Sequence, residues 1–291
     1  MDEQWTSVTL AADAAHPHEE AVRWIAARSG TGIRHVRVVG VDPALEGRVG
    51  PDGKRVAEHV ADETRSALPG VEVAVVRHAG PAAAALLTES DTTDLLVIGT
   101  FRSRRGSTVG GEAARVAGRA AVPTVVVPDG PHPIDGDVVL AVEDPLDERA
   151  VAIAVDEARR TNRRLTLLRA WEMPVLTRTG LTDFAEDPDR WRLQNKALLA
   201  RVSTEIAGRY PDVRLRSLLV EGRPGRAIAG HTRHASLVVL GRGHVRVLSG
   251  SVLRDVLHGT VSPVCVVPPS AHEAAEGAGA EGAADDAEAI G

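Results

Sequence analysis

Cysteine is almost missing from this chain: Cys265 is the single one in 291 residues. An internal disulfide is therefore excluded. Cys265 lies in the apolar run Pro263–Pro268 and reads as a buried strand thiol, not a reactive one. Aromatic residues make up only 2% of the sequence, so Val, Leu, Ile and Ala must fill any core. No apolar run approaches the roughly 18–20 residues of a membrane span, and the stretch Met1–Thr9 is polar and acidic, unlike a secretory leader. No membrane association is expected, and a reducing cytoplasm is the expected location. A body charge of one sign is missing as well. The net charge is −6, but Glu273, Glu276, Glu281, Asp285, Asp286 and Glu288 lie in the final stretch 271–291, which has no Lys or Arg. Setting those six aside leaves 34 acidic against 34 basic residues. A neutral body offers no electrostatic basis for nucleic-acid binding.

What is present is a repeat. Asp94-Leu-Leu-Val-Ile-Gly99 returns as Ser236-Leu-Val-Val-Leu-Gly241, and Pro123-Thr-Val-Val-Val-Pro128 returns as Pro263-Val-Cys-Val-Val-Pro268. Upstream, Gly80-Pro81 before an Ala-rich helix corresponds to Arg223-Pro224 before Ala227-Ile228. Landmarks in one order at a near-constant offset indicate two copies of one unit. The breaker cluster Asp129–Pro133 sets the boundary, giving domains at 1–132 and 133–270 and an acidic tail at 271–291 whose composition predicts disorder.

Each copy alternates strand and helix. The spacing predicts strands at Ser7–Ala12, His35–Val41, Val71–Arg77, Leu95–Gly99 and Thr124–Val127. Helices are predicted at Glu19–Ser29, at Lys54–Leu68, from Pro81 and at Gly111–Ala121. The second copy predicts strands at Asp137–Val142, Leu165–Trp171, Val213–Val220, Leu237–Gly241 and Val264–Val267. Its helices are Asp147–Arg160, Asp187–Tyr210, Gly225–Arg233 and Ser251–His258. Short β-branched runs alternating with longer helices predict an α/β fold of two tandem, doubly wound, five-stranded parallel sheets.

Such sheets bind ligands beyond the carboxyl ends of their strands, where strand order reverses. Asp13 and the pair Glu143-Asp144 close the first strand of each copy; Val41 and Ala170 mark the ends of the second. A glycine-rich loop follows the fourth strand, Gly99 through Gly110-Gly111 in one copy and Gly241 through Gly243, His244 and Gly250-Ser251 in the other. The loop leads into a helix start, where free N–H groups favour an anion. Ser251 reads as the helix N-cap. The alternative is a plain strand–helix turn with a capping serine. The eleven histidines are scattered; His16 and His18, flanking Pro17, read as surface-loop residues, and no metal site is assigned.

Taken together these residues resemble the universal stress protein family. Thr9-Leu-Ala-Ala-Asp13 followed by Ala21-Val-Arg-Trp24, the stretch Leu165–Pro174, Val220-Glu-Gly-Arg-Pro224 and the two closing strands are similar to its pattern, covering about residues 5–268 in two copies. The resemblance implies a cytoplasmic stress-response regulator. It also implies ATP, or another adenine nucleotide, held by the first-strand acid, a second-strand backbone group and the loop Gly-x2-Gly-x9-Gly-Ser/Thr. This chain departs from that loop: nine positions separate Gly241 from Gly250, where the family has thirteen, and the first copy has Gly110-Gly111-Glu112 where Gly-Ser is expected. The resemblance further implies closing strands that pair about a twofold axis. Thr124–Val127 and Val264–Val267 would then join the halves into an intramolecular pseudo-dimer, with a homodimer and an unidentified protein partner as further assemblies. A single continuous sheet is expected to speak against twin modules. Two other functions stand beside the regulator: an ATP-hydrolysing or nucleotidyl-transfer enzyme on the same fold, and a ligand-free scaffold.

Overall fold

The computed structural model describes residues 5–12, 18–28, 30, 32–42, 51–100, 110–130, 135–172, 188–242 and 250–269. Strand and helix alternate throughout, as the hydrophobic periodicity dictates. The first half comprises β1 (Ser7–Ala12), α1 (Glu19–Ala26), β2 (His35–Asp42), α2 (Pro51–Ala67), β3 (Glu72–Ala79), α3 (Ala82–Ser90), β4 (Leu95–Thr100), α4 (Gly110–Ala117) and β5 (Thr124–Pro128). The second comprises β6 (Val138–Ala141), α5 (Glu148–Arg160), β7 (Leu165–Trp171), α6 (Pro188–Arg209), β8 (Leu215–Glu221), α7 (Pro224–His231), β9 (Leu237–Gly241), α8 (Gly250–Gly259) and β10 (Val264–Val267).

Local chemistry sets several of these boundaries. Asp147 caps α5, its Oδ1 accepting from the Ala150 N–H at 2.9 Å, while Glu148 lies in the first turn and Arg159 and Arg160 in the last, each complementing the helix dipole. Pro51 opens α2 and Pro224 opens α7, where a missing N–H leaves no helical bond unmade.

The strand order is β3-β2-β1-β4-β5-β10-β9-β6-β7-β8. Every pair within a half is parallel, and the one antiparallel pair is β5 with β10, where Val125 faces Cys265 and Thr124 faces Val266. This corrects one expectation. The ten strands form a continuous sheet, yet continuity does not speak against twin modules, because the single antiparallel joint is where two parallel five-stranded sheets meet edge to edge.

Helices α1, α2, α5 and α6 cover one face of the sheet and α3, α4, α7 and α8 the other, each over a core that runs through both halves. The inner strands β4, β5, β6, β9 and β10 are buried at every position, the mark of strands covered on both faces. The outer strands differ. Along β8 only Val220 is buried, and β3 carries Glu72 and Arg77 exposed, a charged border that discourages further strand addition. Cys265 is fully buried at the joint.

Arginines also tie the halves together beyond the strand pair. Arg28, just past α1, donates to Glu157 of α5 and, at 2.9 Å, to the Trp24 carbonyl, with its guanidinium 3.7 Å above the Trp24 ring. Both members of the ion pair are buried. Burial pushes the Arg28 guanidinium below its usual range, and Glu157 pulls it back. On the opposite face Arg242, just past β9, donates to the carbonyl of Ala120 at 2.8 Å, beyond the end of α4. Among the described residues no helix is long and apolar enough to cross a membrane.

Candidate functional site at the strand-order reversals

Strand order reverses once in each half, between β1 and β4 and between β6 and β9. In a parallel sheet the crevice beyond the carboxyl ends at such a point is where ligands dock. The second-half reversal is the better described. Glu143 and Asp144 follow β6, Ala170 lies near the end of β7 opposite Val220, and Gly241 ends β9 opposite Val267.

The two acidic residues separate cleanly. Asp144 is exposed and pairs with Arg201 of α6 at 3.4 Å. Glu143 is half-buried, and its Oε1 is enclosed with no hydrogen-bond partner among the described residues. Burial pushes the Glu143 carboxyl up to about 7; Arg169 works against that rise, and Asp147 adds to it. A carboxyl in that range is neutral in a large fraction of molecules near neutral pH, and so both donates and accepts.

Arg169, in β7, is a residue of this site that sequence reasoning missed. Its Nη1 donates to the Val142 carbonyl at 3.0 Å and its Nε to Asn195 Oδ1 at 3.0 Å, while Asn195 donates to the Trp191 carbonyl within α6. Burial lowers the Arg169 guanidinium, and Glu143 and Asp144 oppose that shift. Its only sequence signal is a charged residue inside a strand that is apolar apart from Thr166.

Asp147 was legible as a helix start but not as the neighbour of Gly241. A Cβ on Gly241 would stand 2.6 Å from Asp147 Oδ2 and 2.7 Å from Asp147 Cβ. The glycine is therefore required by the close approach of α5's cap. That packing accounts for Gly241 without any phosphate.

The loop residues fare differently. Gly243 and His244 lie outside the described residues. Gly250 and Ser251 open α8, so the reading of Ser251 as N-cap is corrected: it stands inside the first turn, where its backbone N–H is among the helix's free donors. In the first half, Asp13 also lies outside the described residues. Val41 pairs with His78 in β2–β3, Gly99 is buried in β4 opposite Val127, and Gly110-Gly111 open α4. Glu112 follows them, exposed in the first turn, where a negative charge opposes an anion at the helix start. The structure also corrects the surface-loop reading of His18, whose side chain is 13% exposed.

A cavity of about 1050 Å³ lies elsewhere, between α6 and the outer strands, lined by Trp171, Leu193, Lys196, Leu199, Leu219 and Glu221 among others. Neither Glu143, Asp147 nor Gly241 lines it.

Comparison with known proteins follows this geometry. A universal stress protein of Mycobacterium tuberculosis is 30% identical over 232 residues, an alignment covering 74% of this chain and 73% of that protein. A universal stress protein of Mycobacterium bovis is 31% identical over 194 residues, and this chain spans about 62% of its length. Among solved structures, a universal stress protein from Archaeoglobus fulgidus superposes with a TM-score of 0.69 at 18% identity, covering 93% of this chain and 99% of that one. A protein of unknown function from Pseudomonas aeruginosa superposes at 0.62 with 15% identity, covering 95% and 98%. These two show the shared fold. The model of the universal stress protein family matches residues 136–268, the span of β6 to β10 that carries the crevice, and with that match and the mycobacterial relative the chain belongs to the universal stress protein family.

Proposed function

We propose that this chain is a regulatory stress-response protein of the tandem type, whose second half holds an adenine nucleotide in the crevice between β6 and β9 without turning it over. The observation that carries this reading is Glu143, whose Oε1 is enclosed at the carboxyl end of β6 and has no protein partner among the described residues. Buried polar atoms in folded proteins normally have one. A partly neutral carboxyl donates and accepts at once, the pattern that an adenine edge or a ribose hydroxyl answers. The backbone end of β7 at Ala170 and the free N–H groups at the start of α8 supply the second-strand and anion contacts.

One observation favours the scaffold reading instead. Asp147 packs against Gly241 where the loop begins, so a carboxylate stands close to the path of a polyphosphate. A nucleotide with fewer phosphates meets less of that repulsion. Thermal-shift measurements with ATP, ADP, AMP and cyclic AMP separate the readings: a rise in melting temperature with adenine nucleotides and no turnover supports the regulator. Phosphate or pyrophosphate release in the same samples makes the chain an enzyme, and no shift at millimolar ligand makes it a scaffold.

A further inference from the structure

Away from both crevices, α1 and α2 bring together three side chains of the kinds that ligate metal ions. His59 and Glu63 stand four residues apart on α2, one helical turn, and so share a face. His18 immediately precedes α1, its carbonyl accepting from the Val22 N–H at 2.8 Å, which fixes where its ring starts. The ligand atoms of the three residues all lie within 4.8 Å of one another.

His18 Nε2 is 3.2 Å from Glu63 Oε2, His59 Nε2 is 3.4 Å from Glu63 Oε1, and the two imidazoles meet edge to face with centroids 6.1 Å apart. A tetrahedral ion with bonds of about 2.0–2.2 Å holds its ligand atoms about 3.3 Å apart. Each histidine stands at about that spacing from one oxygen of Glu63, His18 from Oε2 and His59 from Oε1.

The polar atoms here are also unspent. The His18 side chain is only 13% exposed, yet neither of its ring nitrogens has a hydrogen-bond partner among the described residues, and Glu63 Oε2 has none either. Enclosed nitrogens and oxygens in a folded protein are normally satisfied; His18 Nε2 and Glu63 Oε2 approach to 3.2 Å without forming a hydrogen bond, and an ion shared between them would satisfy both. His59, with a side chain 67% exposed, leaves an approach from solvent.

We propose that His18, His59 and Glu63 bind a divalent first-row transition ion, with Zn(II) as the prime candidate and a fourth position left for water. Two imidazoles and one carboxylate suit zinc and its neighbours. Calcium and magnesium prefer oxygen ligands alone. The bound ion would staple the start of α1 to the middle of α2, so that metal binding stabilises the first half.

The test uses the full chain, stripped with a chelator and exchanged into metal-free buffer. Titration with Co(II), followed by its visible d–d absorption, and with Zn(II), followed by calorimetry, is expected to give one equivalent per chain. Zn(II) is also expected to raise the melting temperature. His59→Ala and Glu63→Gln should each weaken Zn(II) binding at least about tenfold, with circular dichroism unchanged, since His59 is mostly exposed and Gln keeps the shape of Glu63. His258→Ala, on α8, should bind as the parent does. The proposal is overturned if the parent gives no d–d band and no saturable Zn(II) heat, or if both His59→Ala and Glu63→Gln bind like the parent and the three residues are an ordinary His–Glu contact.

Discussion

In the second half, β6 runs out into an enclosed carboxyl, Glu143, with Arg169 and the α5 cap Asp147 around it, and α8 opens on Gly250-Ser251. In the first half the helix at the matching place opens on Gly110-Gly111-Glu112, with the acid exposed in its first turn. Both halves have the same strand order about their reversal, so the sheet does not distinguish them. The difference lies in a few side chains at strand and helix ends. The two halves bury matching faces of one sheet and differ at the ends of their strands.

The opposite ends of the strands differ too. In the first half Asp94, ahead of β4, accepts from the N–H and hydroxyl of both Thr6 and Ser7 at 2.7–3.0 Å, latching β1. Burial would raise the Asp94 carboxyl, but these four donors outweigh it and hold it below its usual range. The residue at the matching place, ahead of β9, is Ser236, which donates to the Asp137 carbonyl from its backbone at 2.9 Å and from its hydroxyl at 3.3 Å. The β1–β4 junction is latched by an anion and the β6–β9 junction by neutral bonds, the Asp137 carboxylate reaching Arg164 and Thr166 on the β7 side instead.

The largest expected effect comes from breaking what the halves share. Glu157→Leu strands the buried Arg28 and should cost about 3–5 kcal/mol in chemical denaturation. Arg28→Met with Glu157→Leu should recover much of that loss. If the single change is nearly neutral, the halves are not coupled through this pair.

Gly241→Ala pushes a methyl into Asp147 and should cost about 1–3 kcal/mol. Asp147→Gly in the same chain, which removes the Cβ as well as the carboxylate, should relieve the clash; a failure to do so would remove the packing explanation for the glycine. Next, Asp94→Ala should cost about 1–3 kcal/mol at neutral pH and Ser236→Ala about 0.5–1.5 kcal/mol. The Asp94 contribution is present above the carboxyl's unfolded pKa and fades as pH falls through its lowered folded one, so the gap between the two variants should narrow in acid. Equal costs at neutral pH would erase the contrast between the latches.

The smallest effect concerns Glu143. Its folded carboxyl holds a proton up to about 7, where the ordinary value is 4.5, so stability should fall as pH rises through that window. Glu143→Gln should flatten the slope by on the order of 1 kcal/mol once partial exposure is discounted. An unchanged slope would contradict the burial assigned to this group.

Much of this architecture was legible in the sequence. β1, β7, β9 and β10 have the bounds that hydrophobic runs predicted, because each is a short, mostly apolar stretch closed by turn residues or prolines. α2 begins at Pro51, ahead of the predicted Lys54, because proline and glycine in a first turn read as breakers although proline is at home there. The side-chain partnerships were the illegible part. Arg28 and Glu157 are 129 residues apart, and His18 is 41 positions from His59, so only the packed topology brings either set together. For the crevice, sequence placed the strand ends to within a residue or two, β6 ending at Ala141 and not Val142, but offered Glu143 and Asp144 as equals. Burial by the neighbouring elements is what separates them, and that is a tertiary property.

The contrast between the halves is tested most directly by calorimetric titration of ATP into the full chain and into Glu143→Ala. One site per chain, weakened about tenfold or more by the substitution, is the predicted result. Two equivalent sites, no binding at millimolar ATP, or an affinity indifferent to Glu143 would contradict it.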